Sequence, residues 1–334
     1  MKDFYDLADF DTEQISELLA LTRRLCDQPE PQALAGKVMA LLFLSPSLRT
    51  LASFQAAMAR LGGGTFVISP EMSIHGLESR SGIVMDGVAA EHIRDAVPVI
   101  ASYADALGVR QFADRRKLDE DLADNKYNEM RQLVDVPLIN MESAISHPCQ
   151  SLADWKTLDD LAIPTQGGKL VISWVFHPRP QSLAVPASTL TMAAMRGMDV
   201  TVLRPDGFAM PEPVMNEARQ LANLSGGTVS ETNDQAEALE GAHILYAKSW
   251  ASTVHYGKAE EDEDLRREET HWCVDDSWFD PMHSDARFMH CLPVRRGVEV
   301  MDEILHGPRS VVIPQARNRM LTQMALLHRM LGTQ

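Results

Sequence analysis

Short apolar runs of strand length alternate with amphipathic stretches of helix length along most of the 334 residues. That alternation constrains the fold more than any other feature. Strands separated by helices pair in parallel, because a helical crossover returns the chain to the same end of the sheet, and the helices then cover both faces. Strand-like runs fall at 38–44, 65–69, 106–110 and 136–141, and again at 169–175, 199–205, 242–249, 271–276, 287–294 and 310–316. The spacing between them predicts helices over 51–61, 88–104, 183–197, 211–224 and 234–240, with Pro98 kinking the second. Asp11 with Gln14 three residues later reads as a capping box opening a helix whose Ile15, Leu18, Leu19 and Leu25 share one side. The charged stretch 114–129 reads as a solvated helix.

At roughly 150 residues per domain the chain makes two domains, each long enough to bury its own core. The turn residues at 164–169 precede a new strand, so the expected architecture is two doubly wound parallel-sheet α/β domains. The first spans 1–152 and the second 153–316, and an amphipathic helix over 317–334 closes the protein.

The formal charge is −16, which repels phosphate backbones and argues against a nucleic-acid partner. The acidic start MKDFYDLADFDTEQ lacks the basic-then-apolar order of a secretory signal. With no run of about 18 apolar residues, no membrane association is expected and the cytoplasm is the expected location. Cys26, Cys149, Cys273 and Cys291 fit no zinc spacing and read as reduced thiols, so no metal is expected on them, and no cofactor is expected either.

In an acidic chain an anionic substrate needs a local basic pocket, and in open α/β sheets ligands sit beyond the carboxyl ends of the strands. The loops there carry Ser47, Leu48, Arg49 and Thr50 (SPSLRT, 45–50), then Arg110, and then Glu142, His147, Pro148, Cys149 and Gln150 (NMESAISHPCQ, 140–150). They continue with His177 and Arg179 (HPRP, 177–180), Lys248, then Cys291, Leu292 and Arg295 (HCLPVRR, 290–296), and Arg317 and Arg319 (QARNR, 315–319). A helix start preceded by serine favours an anion through its free N–H groups and dipole, and arginine presents a planar fork suited to phosphate oxygens. Any one loop also reads as an ordinary cap with a surface arginine. Together they suit a small, multiply anionic substrate.

In order and spacing, SPSLRT, HPCQ, HCLP and QARNR resemble the motif set of the aspartate and ornithine carbamoyltransferases, from about residue 36 to the C-terminus. GIVMDG (82–87), HPRP, YAKSW (246–250) and FMHCLPVRR (288–296) are most similar to the branch acting on N-acetyl- or N-succinylornithine. The resemblance implies the two-domain carbamoyltransferase fold with the last helix packed on the first domain, a homotrimer with shared sites, and transfer from carbamoyl phosphate in arginine biosynthesis. It implies that Ser47–Thr50 and Arg110 hold the phosphate, with His75 arriving from an adjacent subunit. His147, Gln150, Arg319 and Thr50 address the carbamoyl group, and Cys291 and the Leu292 carbonyl line the attacking nitrogen. Pro148 and Cys149 belong to the same carbamoyl phosphate loop. Glu142, His177, Lys248 and Arg295 grip the acylated amino acid.

Ala90 stands where the acetyl-specific enzymes carry glutamate and the succinyl enzymes proline, and it lacks the negative charge that repels a succinyl carboxylate. The favoured substrate is therefore N-succinyl-L-ornithine, with N-acetyl-L-ornithine the alternative. Leu51 follows Thr50 where the family has a second arginine, His75 falls where a loop tryptophan is usual, and QARNR replaces a small-residue pattern. A noncatalytic carbamoyl phosphate-binding homologue stays open on those departures. A dinucleotide-dependent oxidoreductase shares the βα rhythm but needs a GxGxxG loop, which the chain lacks.

Overall fold

The computed structural model describes residues 2–69, 77–80 and 82–332. Helix α1 (Thr12–Asp27) opens with the expected capping box: the Asp11 carboxylate accepts from the Gln14 N–H, and the Gln14 side chain accepts from the Asp11 N–H. Its Ile15, Leu18, Leu19 and Leu25 are buried. Then come β1 (Val38–Phe43), α2 (Leu48–Arg60), β2 (Gly64–Ile68), the short parallel pair β3 (Leu77–Glu78) and β4 (Glu91–His92), and α3 (Ile93–Ser102) with Pro98 inside it. β5 (Ala106–Arg110), α4 (Leu118–Leu122), α5 (Asn125–Arg131), β6 (Leu138–Glu142) and α6 (Pro148–Asp160) complete the first unit. Its sheet runs β2-β1-β5-β6, all parallel.

The second unit is built from β7 (Lys169–Ser173), α7 (Ala184–Met195), β8 (Asp199–Leu203), α8 (Glu212–Ser225), β9 (Thr228–Thr232), α9 (Gln235–Leu239), β10 (Ile244–Ala247), α10 (Ala259–Arg267) and β11 (Arg287–Met289). Its parallel sheet runs β11-β10-β7-β8-β9. Helices α11 (Asp302–His306) and α12 (Val312–Leu331) follow, and α12 packs on α6, α1 and α2, returning to the first unit as expected. Every residue of α7 is buried. In both sheets the earliest strand is central and the order reverses beside it, so the switch points lie at the ends of β1 and β5 in one unit and of β7 and β10 in the other. Clefts form at such points. No helix of the described residues is long and apolar enough to cross a membrane.

Several elements differ from the sequence reading, which also leaves out α10 and α11. The stretch 271–276 makes only an isolated bridge, Val274 to Val300, before a 3-10 turn over Asp276–Phe279. The β-branched run at 310–316 becomes the start of α12; Pro314 falls in its first turn, where a missing N–H breaks no helical bond. The edge strand β9, TVSET, is polar and only partly buried, so it has no apolar alternation to reveal it. The charged stretch at 114–129 splits into α4 and α5 around Asp124, which takes φ 48° and accepts from the Tyr5 hydroxyl at 2.9 Å. The expected division at 152/153 falls inside the continuous helix α6, and the second sheet begins only at Lys169.

Candidate active site

Ser47 caps α2, its hydroxyl accepting from the Thr50 N–H at 3.3 Å. The helix therefore starts three residues before the sequence pattern placed it, and the N–H groups of Leu48 and Arg49 open it without an intrahelical carbonyl. Leu48 turns its side chain to solvent, 80 % exposed, so only its backbone can serve a ligand. Thr50 is fully buried. Its hydroxyl oxygen accepts from Arg319 Nη2 at 2.7 Å and from the Ser47 hydroxyl at 3.0 Å, which makes it a holder of Arg319.

Arg49 and Arg110 line a cavity of about 570 Å³ together with Arg319 from α12. The Nε of each of these three arginines is buried without a hydrogen-bond partner among the described residues. Buried donors are nearly always paired, so three unpaired ones on one wall mark a place shaped for an anion. Burial, with the charge of Arg110 beside them, lowers the pKa of both Arg49 and Arg319. Arg110 Nη1 is bonded to the buried carboxylate of Glu142.

His147 precedes α6, which opens on Pro148. The His147 N–H donates to the Ser188 hydroxyl of α7 at 2.7 Å, and its Nε2 lies 3.4 Å from the Glu142 carboxylate. Burial, then the charges of Arg319, Arg110 and Arg49, hold the imidazole pKa well below its ordinary value, so the ring is neutral. Gln150 lines the cavity, donates from Nε2 to Asp154 at 2.8 Å and keeps Oε1 buried and unpartnered. Cys149 is different: its thiol packs in the core against the Asn140 carbonyl at 3.5 Å, and burial raises it to about 12. Its side chain is not a cavity group. Glu142, which the sequence reading set among the acylornithine contacts, lines the same cavity, with its carboxylate bonded to Arg110 and 3.4 Å from His147 Nε2.

The second unit supplies the opposite wall. Cys291 and Leu292 reach the cavity from the loop after β11. Leu292 takes φ 54°, its N–H donates to His290 Nδ1 at 2.9 Å, and its bond to Pro293 is cis. Burial raises the Cys291 thiol pKa. Lys248, just past β10, and Arg179, after β7, line the cavity, and neither side chain has a hydrogen-bond or ion-pair partner among the described residues. His177 and Arg295 lie outside the lining and hold each other, Arg295 Nε donating to His177 Nε2 at 3.0 Å. Burial, with Lys248 and Arg295 nearby, depresses His177 to about 4. The Arg295 N–H donates to the buried Glu299 at 2.6 Å. Ala90 is exposed and away from this cavity within one chain. His75 lies outside the described residues.

Two family models match the chain: the carbamoyl-P binding domain of aspartate/ornithine carbamoyltransferase over residues 2–160, and its Asp/Orn binding domain over 181–330. The chain belongs to the aspartate/ornithine carbamoyltransferase family. An N-acetylornithine carbamoyltransferase of Xanthomonas campestris pv. campestris is 34 % identical over 335 residues, covering 99 % of this chain and 98 % of that one. An N-succinylornithine carbamoyltransferase of Bacteroides thetaiotaomicron is also 34 % identical, over 298 residues, covering 89 % and 88 %. A crystal structure of acetylornithine transcarbamylase complexed with acetylcitrulline superposes with a TM-score of 0.94 at 33 % identity, covering all of both chains.

The fold of this carbamoyltransferase thus brings eleven residues named from the sequence to one cavity, among them Ser47, Arg49, Arg110, His147, Gln150 and Arg319. Sequence reasoning passed over Asp154, Ser188 and Glu299, each buried and each bonded to a named residue. Asp154 did carry a signal: it stands four residues after Gln150, on the same face of a helix.

Proposed function

We propose that this carbamoyltransferase transfers the carbamoyl group of carbamoyl phosphate to the δ-amine of N-succinyl-L-ornithine, giving N-succinyl-L-citrulline and phosphate, in the arginine biosynthesis of the cytoplasm. Arg49, Arg110 and the N–H groups opening α2 hold the phosphate. His147, Gln150 and Arg319 surround the carbamoyl group, and Cys291 with the Leu292 carbonyl flanks the amine. The amine nitrogen bonds to the carbonyl carbon, the oxyanion collapses, and the carbon–oxygen bond to phosphate breaks. The leaving phosphate accepts the amine proton, so no further base is required. Catalysis is then positioning plus charge stabilisation.

The observation carrying the substrate choice is the pair Lys248 and Arg179, which line the same cavity as the three arginines and whose side chains have no partner among the described residues. N-succinylornithine offers two carboxylates and N-acetylornithine one. Ala90, without a negative charge, supports the same choice. So does a relative: glutamate-to-proline, -alanine and -serine mutants of N-acetyl-L-ornithine transcarbamylase have each been crystallised complexed with carbamyl phosphate and N-succinyl-L-norvaline. The second reading, N-acetyl-L-ornithine, is favoured by the near-complete coverage of the Xanthomonas relative. The two sheets act as a carbamoyl phosphate unit and an acylornithine unit. Three chains assemble into a homotrimer with shared sites, and light scattering on the purified protein measures that oligomeric state. The deciding experiment is a ureido-product assay with carbamoyl phosphate and ornithine, N-acetylornithine or N-succinylornithine. The expected result is the highest kcat/KM on the succinyl compound; a higher value on either of the others overturns the choice.

A further inference from the structure

We propose that Asp154 is a positioning residue: from the core it fixes the Gln150 side-chain amide with its oxygen toward the cavity, so that Gln150 recognises the –NH2 of a carbamoyl phosphate and disfavours an acyl phosphate lacking it. The proposal rests on the placement of carbamoyl phosphate given above.

Asp154 is fully buried in α6, and among the described residues no cation is bonded to it. Its Oδ1 accepts from Gln150 Nε2 and from Gln315 Nε2, both at 2.8 Å, and its Oδ2 accepts from the Tyr246 hydroxyl at 3.0 Å. A primary amide has nearly the same shape either way round, and only its partners decide which end is oxygen. An ionised carboxylate accepts and cannot donate, so each glutamine must face it with nitrogen. Gln315 provides an internal check. Its Oε1 accepts the backbone N–H of His290 at 3.0 Å, a bond that the reversed amide could not make.

The same logic leaves Gln150 Oε1 turned away from Asp154, buried and unpartnered, on a residue that lines the cavity. An acceptor in that state calls for a donor on the ligand. The carbamoyl amino group supplies one; the methyl of acetyl phosphate, of similar size, would leave the oxygen unpaired. Sites of this kind reject the analogue that lacks the hydrogen-bonding group. Burial raises the Asp154 carboxyl to about 6, and the bonds from Gln315, Gln150 and Tyr246 oppose that rise, so the group is ionised and purely an acceptor at neutral pH.

The test measures the KM for carbamoyl phosphate and the inhibition constants of acetyl phosphate and inorganic phosphate in the wild type, Gln150→Ala, Asp154→Ala and the double variant. Asp154→Ala should reduce the preference for carbamoyl over acetyl phosphate about tenfold, the worth of one unpaired buried acceptor, and leave inorganic phosphate inhibition unchanged. Gln150→Ala should do the same, and the double variant should add nothing further. Asp154→Asn should restore the preference, because its side-chain oxygen still accepts from both glutamines. If Asp154→Ala weakens all three ligands equally, Asp154 is merely structural and the proposal falls. If Gln150→Ala alone shifts the preference, the proposal fails while the placement of carbamoyl phosphate stands. If Gln150→Ala leaves the preference intact, that placement fails. Should Asp154→Ala not fold, the triple variant Asp154→Leu, Gln315→Leu, Tyr246→Phe exchanges the polar cluster for an apolar one of similar shape and releases Gln150 equally. The same loss of preference is expected there, and an unchanged preference overturns the proposal.

Discussion

Thr50→Val isolates the hold that the first helix of the cavity has on the last helix of the chain. Thr50 is fully buried, and its hydroxyl oxygen is the acceptor for Arg319 at 2.7 Å and for Ser47 at 3.0 Å. Valine keeps the shape and removes the acceptor. A hydrogen bond to a charged group is worth about 1.5–3 kcal/mol, and a buried donor left unpaired carries its full desolvation penalty. Taking about 2 kcal/mol, unfolding in urea should show a loss of that size. If Arg319 needs this bond to face the carbamoyl oxygen, the same energy is missing from the transition state, and kcat falls about 30-fold. Arg49 and Arg110 are untouched, so inhibition by inorganic phosphate should change less than about twofold, as independent sites do. Thr50→Ser, which retains the oxygen, should recover most of kcat. Steady-state kinetics with phosphate inhibition reads all of these quantities. A valine variant with wild-type kcat, or one whose phosphate affinity falls in step with kcat, would refute the assignment of Arg319 to the carbamoyl end.

Arg110→Gln leaves the Glu142 carboxylate buried without its cation; removing one partner of a buried pair costs about 3–5 kcal/mol, so the urea midpoint should drop sharply and phosphate inhibition should weaken. Ala90→Glu should lower kcat/KM on N-succinylornithine relative to N-acetylornithine, by like-charge repulsion; an unchanged ratio removes Ala90 from substrate choice. Asp154→Asn should gain stability relative to the wild type as pH rises. The folded carboxyl titrates near 6 rather than 3.8, so its contribution is full below 3.8 and is lost as pH rises through 6, by about 3 kcal/mol at most. A difference in Tm between variant and wild type that stays flat with pH contradicts this.

Much of this arrangement was readable in the chain because local signals and tertiary placement agree. The capping box at Asp11 and Gln14 is local chemistry and survives intact. The buried strands β1, β5 and β7 were visible because a strand covered on both faces is apolar throughout. Where burial is one-sided or absent the signal fades, as in β9. Where a β-branched run meets a helix start, as at Val311–Val312, propensity misleads and packing on α1, α2 and α6 decides. In the site, strand ends could be located, and with them Arg49, Arg110, His147 and Lys248. What could not be read was which side chains are already occupied. Thr50 is consumed by Arg319 and Glu142 by Arg110, and both facts depend on helices and strands far apart in sequence.

The electrostatic design follows from the same occupancy. Three arginines of one cavity, Arg110 and Arg319 buried and Arg49 half-buried, repel one another, and Glu142, bonded to one of them, offsets only part of that charge. In a low-dielectric cavity such a cluster is worth far more to a polyanion than the same charges would be on the surface. It also fixes the protonation of what lies next to it. His147 stays neutral, so it adds no charge and can bond to the carbamoyl group without having to lose a proton first. An alkylammonium entering the same space meets the same repulsion, which favours release of its proton before attack. On the proposed placement of the phosphate, the cations that bind it also ready the nucleophile. That first proton leaves to solvent; on the proposed reading the second, shed by the nitrogen once it has bonded to carbon, passes to the departing phosphate as the carbon–oxygen bond breaks. On that reading binding and activation share one cluster of cations, gathered by an otherwise acidic chain at the ends of two sheets.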